Sequence, residues 1–328
     1  MLTFLYCLDK NYNLQALVSI SSILEKIDDK INIIFLHKEP DTIQNHRYIS
    51  KIKNNRFINS IEFIQFNKSN INFPNLKKSH VSEATYYRLF IGEHLKDYEN
   101  IVYIDPDIIC VNNPLTELKK QIKLLDESKV TVAAFTEVTK DNQNTKDFTR
   151  LKVSGDSLFN AGLMIINFKK WQEGNLGYKL VERLELIYDD IVFWDQDVLN
   201  SFFNSNYLKL DKKFNHMMSY EKTKLTKGEL YKLEKENLFI HYSGKSKPWT
   251  VRGSIEKSFK FYHQAHFDLT GNLYQIQNNR KKQAIKDLCK SIINLNIFKV
   301  DKPFCLIFPV FKFTRGITFL FRLILLYN

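Results

Sequence analysis

Residues 99–113 read Glu-Asn-Ile-Val-Tyr-Ile-Asp-Pro-Asp-Ile-Ile-Cys-Val-Asn-Asn. The apolar, β-branched run at 101–104 predicts a short buried strand, which should end at Pro106 because proline donates no backbone hydrogen bond. Side chains two positions apart on a strand point the same way, so Asp105 and Asp107 can aim at one spot. Carboxylates at a strand end suit Mg²⁺ or Mn²⁺ carrying a diphosphate, and a plain acidic turn is the alternative.

Apolar strand-like runs alternate with helical patterns over most of the chain. Strands are predicted at residues 2–8, 31–36, 57–66, 101–104, 130–135 and 158–168. Helices are predicted from residue 12 to about 25, weakly at 41–53, at 81–95, from 114, and from 168 to about 188, with a polar loop at 136–157. This alternation is typical of βαβ units, so the fold class is α/β, with a mainly parallel sheet flanked by helices.

Composition sets the broad class of the protein. A chain of 328 residues that is 44% hydrophobic can bury a large core, which excludes a disordered chain. The four cysteines, Cys7, Cys110, Cys289 and Cys305, form no CxxC pair, and the first two lie in apolar runs. Cys7 and Cys110 are therefore predicted to be buried thiols, and the lack of a disulfide pattern indicates a reducing compartment. No basic n-region precedes the short N-terminal apolar run, and no run is long enough for a membrane span.

The positive charge is concentrated near the C-terminus. The net charge is +12, and residues 272–328 contain ten Lys and Arg residues against two acidic residues. Such a tail predicts an anionic partner, either a membrane surface or a nucleic acid. In residues 308–328, Lys312, Arg315 and Arg322 fall on one arc of a helix and apolar residues occupy much of the remainder. This pattern predicts a helix lying in a membrane interface, with a helix packed on the main domain as the alternative.

Six motifs occur in order along the chain. They are Asp9-Lys10-Asn11-Tyr12, His80-x4-Thr85-x2-Arg88, Asp105-Pro106-Asp107, Phe159-Asn160-Ala161-Gly162, Asp195-Gln196-Asp197 and His241-Tyr242-x-Gly244-x2-Lys247-Pro248-Trp249. The set resembles the bacterial glycosyltransferases of family 8, retaining galactosyl- and glucosyltransferases with a GT-A nucleotide-binding fold, over roughly residues 2–265. With the basic, apolar tail, the chain looks most like lipopolysaccharide-core hexosyltransferases. The resemblance implies a GT-A domain at 1–268 and a basic, helical, membrane-associating region at 269–328.

The resemblance implies a metal site made by Asp105, Asp107 and His241. Two carboxylates and an imidazole suit Mn²⁺, or Mg²⁺, and leave positions open for a diphosphate. The alternative for His241 is a structural histidine on a strand whose hydrogen bonds are all made within the protein. Gly244 would permit close approach to phosphate, and Lys247 would supply a point charge to it.

Other positions match donor contacts of the family. They are Asp9, Asn11 and Tyr12 for uracil and ribose, Asn160, Ala161 and Asp195 for the donor sugar, and Arg88 for the donor. Each of these positions also has a purely structural explanation. Asp9 and Asn11 could cap a helix, the Phe-Asn-Ala-Gly motif could form a turn, and Arg88 could be a solvated charge on a helix.

The Asp195-Gln196-Asp197 motif should be helical, and two carboxylates at i and i+2 of a helix face different ways. By resemblance, Gln196 lies near the reacting carbon, and Glu137 lies near a family aspartate that faces the acceptor. No carboxylate stands out as a nucleophile. We therefore expect front-face displacement, in which the metal ion, Arg88 and Lys247 stabilise the departing diphosphate and this charge stabilisation supplies most of the catalysis. The expected catalytic residues are Gln196, Asp195 and Arg88, with Gln196 as a positioning group rather than a nucleophile.

The function expected from this sequence is metal-dependent transfer of galactose or glucose from UDP-glucose or UDP-galactose to a lipid-linked oligosaccharide of lipopolysaccharide. The enzyme would lie in the cytoplasm, peripheral on the inner membrane. A UDP-sugar transferase with a protein or other polysaccharide acceptor is one alternative. A nucleotidyltransferase is a second, although residues 1–30 lack the glycine-rich phosphate loop it would need. A basic nucleic-acid binder is a third, but no reading motif is present and no nucleic-acid partner is expected.

Overall fold

The structure is a computed structural model that describes residues 1–68, 71–74, 82–142, 145–218, 225–244, 247–277 and 282–299. It divides into two compact units. The first comprises Met1–Met217 and Lys232–His241, and the second Met218–Tyr231 and Tyr242–Asn328. His80 and the proposed interfacial helix at 308–328 lie outside the described residues.

The elements follow the predicted alternation. The strands are β1 (Leu2–Leu8), β2 (Ile31–His37), β3 (Ile58–Gln65), β4 (Asn100–Ile104), β5 (Ile108–Cys110), β6 (Val132–Thr139), β7 (Ser157–Asn167), β8 (Leu208–Leu210), β9 (His216–Met217) and β10 (Phe239–His241). The helices are α1 (Asn13–Lys26), α2 (Asp41–Gln44), α3 (Ile49–Lys53), α4 (Ile91–His94), α5 (Leu115–Glu127), α6 (Thr145–Arg150), α7 (Phe168–Glu173), α8 (Leu176–Leu186), α9 (Trp194–Phe203), α10 (Lys227–Glu236), α11 (Val251–Ser254), α12 (Lys260–Thr270) and α13 (Lys282–Ile293).

A seven-stranded sheet in the order β3-β2-β1-β4-β7-β6-β8 forms the centre of the first unit. Strands β3, β2, β1 and β4 are mutually parallel, β7 runs antiparallel to β4 and β6, and β8 is parallel to β6. Strands β1 and β7 are buried along their whole length, as expected of a sheet covered on both faces. The predicted α/β class with a mainly parallel sheet is confirmed.

The chain reverses after β4 into a smaller sheet of order β5-β10-β9. Helix α1 lies against β5, where Ser19 Oγ donates to the carbonyl of Ile108 at 2.6 Å and Ser22 Oγ accepts from the amide of Cys110 at 2.9 Å. Strand β10 pairs antiparallel with β5 and brings His241 opposite Ile108. A residue far along the chain is thereby placed beside the Asp-Pro-Asp turn.

Two local predictions were wrong. The helix predicted at 81–95 is a 3₁₀ segment, Glu83–Phe90, followed by the single turn α4. Here aromatic packing overrides the helical pattern, because Tyr87 stacks on Phe66 with a centroid distance of 3.7 Å. The loop predicted at 136–157 instead contains the end of β6 and helix α6. Pairing of β6 with β7 continues to residue 139 and supplies backbone hydrogen bonds that a polar composition does not reveal.

The second unit is helical in its described part. Helix α12 ends at Gly271, whose φ of 74° places it in the left-handed region that suits a helix C-cap. Val251, Leu288 and Ile297 form a small buried cluster in this unit. None of the helices in the described ranges combines the length and apolar character needed to cross a bilayer. The domain boundary at 268/269 stays a prediction.

Candidate active site

Two neighbouring parallel strands, β1 and β4, end at the same edge of the large sheet. Asp9 follows β1, and its Oδ1 accepts a hydrogen bond of 2.8 Å from the amide of Asn11, so it caps the 3₁₀ turn that leads into α1. Asp105 follows β4. The sites of open α/β sheets lie at the carboxyl ends of the strands, so both carboxylates lie where a ligand is expected.

The Asp-Pro-Asp turn is fixed by backbone hydrogen bonds. The amide of Asp105 donates to the carbonyl of Gly162 at 2.8 Å, and the amide of Ile108 donates to the carbonyl of Asp105 at 3.2 Å. The turn gathers Asp105, Asp107 and His241 into a cluster whose ligand atoms all lie within 4.8 Å of one another. The predicted metal ligands are therefore brought together.

His241 is held from two sides. Its Nδ1 lies 2.9 Å from Oδ1 of Asn215, and its Nε2 lies 3.3 Å from Oδ1 of Asp107. A Cβ added at Gly162 would overlap the imidazole ring, with Nδ1 only 2.8 Å away. The glycine of the Phe-Asn-Ala-Gly motif is thus required by close approach of the histidine, rather than by a turn conformation alone.

The donor set of this cluster fits a divalent metal ion. Two carboxylates and one imidazole nitrogen are ligands suited to Mn²⁺ and also acceptable to Mg²⁺. Burial raises the pKa of Asp105, and the nearby carboxylate of Asp107 raises it further. Burial also raises the pKa of Tyr12, and the carboxylates of Asp107 and Asp9 raise it further.

Arg88 lies among the charged side chains of the site. Because it is buried, the alternative that it is a solvated charge on a helix is excluded. Its Nε is 2.6 Å from Oδ2 of Asp195 and its Nη2 is 3.3 Å from Oδ1 of Asp105, with 5% of the arginine side chain exposed. Nη1 donates to the carbonyl of Ala161 at 2.5 Å, and the guanidinium lies over the ring of Tyr103 at 4.1 Å. The arginine therefore ties α9, β4 and β7 together at the site.

Helix α9 carries Asp195, Gln196 and Asp197, and they diverge as a helix requires. Asp195 pairs with Arg88, and burial raises its pKa to about 6 although the arginine opposes this. Gln196 Oε1 accepts from the amide of Ala161 at 3.0 Å. Asp197 instead forms an ion pair of 2.5 Å with Arg150. The expectation that the two carboxylates would face different ways is confirmed.

Sequence reasoning missed two residues of the site. Tyr103 donates from its hydroxyl to Oδ1 of Asp105 at 2.5 Å; strand periodicity could have found it, because it lies two positions before Asp105. Asn215 is completely buried and contacts both His241 and Asn160. No local pattern marks it, since its partners are distant in sequence.

The family model described as glycosyl transferase family 8 matches residues 3–252. This chain belongs to that family. The predicted family, the GT-A type of fold and the predicted retaining hexosyltransferase are thereby confirmed.

Named relatives and solved structures agree with the family. The lipopolysaccharide 1,3-galactosyltransferase of Salmonella typhimurium is 27% identical over 263 residues, which cover 78% of this chain and 75% of that protein. The lipopolysaccharide 1,2-glucosyltransferase of Escherichia coli is 27% identical over 291 residues, covering 85% and 80%. The crystal structure of galactosyltransferase LgtC with donor and acceptor sugar analogs is similar in fold, with a TM-score of 0.62, 21% identity and coverage of 82% of this chain and 96% of that one.

Two further expected donor contacts of this family 8 glycosyltransferase, Gly244 and Lys247, belong to the second unit. Gly244 has a φ of 82°, in the region that favours glycine, and a Cβ there would meet nothing within 4 Å. Lys247 Nζ donates to the carbonyl of Tyr242 at 2.9 Å. The backbone conformation at Gly244 therefore favours glycine, and the roles of both residues toward a donor stay predictions.

Proposed function

We propose that this chain transfers galactose or glucose from a UDP-sugar to a lipopolysaccharide or lipooligosaccharide core, using Mn²⁺ or Mg²⁺. The observation that carries the proposal is the cluster of Asp105, Asp107 and His241 at the carboxyl edge of the sheet, beside the turn that bears Asp9 and Tyr12. The choice of acceptor rests on the two lipopolysaccharide glycosyltransferases among the relatives.

In this proposal the nucleotide lies against the turn after β1. Tyr12 would stack on uracil, while Asp9 and Asn11 would bind polar edges of the base and ribose. Asp9 can cap the 3₁₀ turn with one oxygen and still offer the other to a ligand, because only Oδ1 accepts from Asn11. Gly244 and Lys247 would approach the diphosphate, the first with its backbone and the second with its charge.

Charge stabilisation and positioning supply the chemistry. When bound, the metal ion contributes positive charge that stabilises the departing diphosphate. Arg88 holds Asp105 and Asp195 in fixed positions, and the same arginine fixes the carbonyl of Ala161. Asn160, Ala161 and Asp195 would orient the donor sugar, and Gln196 would lie next to the reacting carbon as a positioning group in a front-face displacement.

UDP release with a panel of UDP-sugars, with and without acceptor lipopolysaccharide, tests this function. We expect release with UDP-glucose or UDP-galactose that increases when acceptor is added. Asp105→Ala and Asp107→Ala should abolish this turnover in folded protein, as should excess EDTA. Turnover with UDP-sugar and a protein or another polysaccharide, but not with lipopolysaccharide, would instead support the alternative acceptor class.

Stereochemistry gives a second test. Proton NMR of the product should show an α-linked hexose formed from an α-linked donor. Kinetics of Gln196→Glu and Gln196→Ala, with a search by mass spectrometry for a glycosyl-enzyme, separate the proposed positioning role from a nucleophilic one. A trapped covalent adduct would contradict front-face displacement.

We also propose that residues 269–328 associate peripherally with the anionic cytoplasmic face of the inner membrane. In the described part of this region, Lys282, Lys286 and Lys290 are exposed at successive turns of α13, whereas Leu288 is buried. Each lysine near an anionic leaflet can contribute about 1 kcal/mol. Deleting residues 303–328 should release the protein from phosphatidylserine-containing vesicles while UDP-sugar hydrolysis persists. A truncated protein that still pelleted with these vesicles would show that residues 303–328 are not needed for membrane binding, and one that unfolded would favour a helix packed on the main domain.

No nucleic-acid partner is proposed. A DNA-binding assay at several salt concentrations tests this point, because phosphate contacts make binding strongly salt-dependent. Binding that persisted at physiological salt would reopen the nucleic-acid alternative.

A further inference from the structure

A chain of side-chain hydrogen bonds joins the proposed metal ligand His241 to Gln196. Asn215 lies 2.9 Å from His241 Nδ1 through Oδ1 and 2.9 Å from Asn160 Oδ1 through Nδ2. Asn160 Nδ2 and Gln196 Nε2 both donate to Oε2 of Glu137, at 3.0 and 3.3 Å. We propose that Asn215 is a positioning residue that, through this chain, sets the tautomer of His241 and links it to the amide of Gln196. The inference rests on the proposed metal-dependent function.

Two backbone amides determine the polarity of the whole chain. The amide of Gly162 donates to Asn160 Oδ1 and the amide of Ala161 donates to Gln196 Oε1, each at 3.0 Å. A backbone N–H can only donate, so both side-chain atoms must be carbonyl oxygens. The amide nitrogens of these two side chains are therefore directed at the carboxylate of Glu137, which accepts both hydrogen bonds.

The same polarity extends to His241. Because Asn160 presents its oxygen to Asn215, the Asn215 atom that faces it must be the donor Nδ2. Asn215 Oδ1 then faces His241 Nδ1, which must carry the proton. When the ring is neutral, its lone pair is therefore on Nε2, the nitrogen that faces Asp107. That tautomer is the one in which Nε2 can bind a metal ion, and metal-binding histidines are commonly oriented by such a partner on the other nitrogen.

Burial makes the arrangement specific. Asn215 is 0% exposed, and Asn160 and His241 are also buried, so a flipped amide would bring like atoms together where water cannot separate them. Glu137 is exposed at the end of the chain, at a bulge of β6 where the pairing with β7 changes register between Thr136 and Val138. Bulges redirect side chains beside active sites, and this one directs the carboxylate to Asn160 and Gln196.

Two substitutions separate the effects at the two ends of the chain. Asn215→Leu removes both hydrogen bonds, and we expect Mn²⁺ affinity to fall about 10- to 100-fold, with turnover falling as well. Asn215→Asp keeps an acceptor for His241 Nδ1 but cannot donate to Asn160. It should retain Mn²⁺ affinity to within about threefold while kcat falls about tenfold, an order of magnitude typical of such positioning contacts.

Mn²⁺ binding is measured by electron paramagnetic resonance of the free ion, independently of activity. Nitrogen-15 spectra of the histidine rings, assigned by loss of one signal in His241→Asn, report the tautomer in the metal-free protein. Asn167→Leu is the matched control, since Asn167 is a buried asparagine at the other end of β7 that bonds Asp126 and the amide of Lys170. It should lower stability without changing Mn²⁺ affinity.

The outcomes distinguish this inference from the proposed function. If the wild-type protein does not bind Mn²⁺, the metal assignment itself fails. If the wild type binds Mn²⁺ but Nδ1 of His241 carries no proton, or Asn215→Leu binds as tightly as the wild type, the positioning role is wrong. If Asn215→Asp loses Mn²⁺ affinity as far as Asn215→Leu does, Asn215 is only a packing residue. Should Asn215→Leu not fold, the aspartate variant and the tautomer spectrum still decide.

Discussion

Replacing Arg88 by methionine should destabilise the fold by about 3–5 kcal/mol, the usual result of breaking a buried ion pair from one side. Methionine keeps much of the side chain's length but removes the charge. Asp195, 2% exposed and 2.6 Å from the guanidinium, and Asp105 would then both lose their cation. Since native proteins are stable by only about 5–15 kcal/mol, the loss should be visible as a large fall in the urea midpoint, followed by tryptophan fluorescence.

A double-mutant cycle shows whether the loss comes from the charge. Asp195→Asn alone leaves Arg88 bonded to Asp105 and to the carbonyl of Ala161, so it should be the milder change. The double variant Arg88→Met/Asp195→Asn leaves no unpaired charge at Asp195, and the coupling energy should be about 1–3 kcal/mol. Arg150→Met is the matched control, because 19% of that arginine side chain is exposed in its pair with Asp197. Arg150→Met should lower the free energy of unfolding by less than Arg88→Met does.

The deficit of Arg88→Met should depend on pH. Burial already raises the pKa of Asp195 to about 6 in the presence of the arginine, and without it the pKa must rise further. The native variant then binds a proton that the unfolded chain releases above about pH 4, so its stability falls as pH increases from about 4 to 7. Because wild-type Asp195 also holds its proton up to about pH 6, the deficit against wild type should be constant below about pH 6 and increase above it. A pH-independent deficit, or effects additive within about 0.5 kcal/mol, would refute a charge origin.

Two further changes test other parts of the structure. Gly162→Ala should lower Mn²⁺ affinity by about tenfold or more, because its Cβ would displace the ring of His241; Gly228→Ala, where a Cβ meets nothing within 4 Å, should leave affinity unchanged, and equal effects of the two would contradict the close approach. His37→Gln tests the buried histidine that bonds Asn13 at 2.8 Å. Burial lowers the pKa of His37 to about 4, so the native state binds fewer protons than the unfolded state between about pH 4 and 6.5, and this histidine's contribution to wild-type stability is lost as pH falls. The difference in urea midpoint between wild type and His37→Gln should shrink over that window, and a constant difference would count against a buried neutral histidine.

The sequence predicts best those features that arise from neighbouring residues. The run at 101–104 and the carboxylates after it give β4 and its acidic end, because strand periodicity and the proline act within a few residues. The strand at 158–168 is recovered almost to its ends. In contrast, residues 83–90 depart from the predicted helix because Tyr87 packs on Phe66, a partner that no local pattern reveals.

The site residues also fall into two groups, those that local sequence predicts and those that only the fold brings together. Asp105 and Asp107 follow from spacing along one strand, but His241 reaches them only because β10 pairs with β5, and the sequence pointed to it through the order of the family's motifs. Asn215 lies outside those motifs, and its partners are 26 and 55 positions away. A single buried asparagine between a short 3₁₀ turn and a two-residue strand has no periodic signature, so its contacts become visible only in the folded chain.

The charges of the described site explain why a divalent ion suits it. Asp105 and Asp195 pair with one buried cation, Arg88, and Asp107 lies beside Asp105. With the carboxylates ionised, the excess is two negative charges in a largely buried place, where uncompensated charge is unfavourable. One divalent ion balances this excess, whereas a monovalent ion leaves one charge uncompensated. Because burial raises the pKa of Asp105, protons compete with the metal ion for this site, and Mn²⁺ affinity should weaken as pH falls.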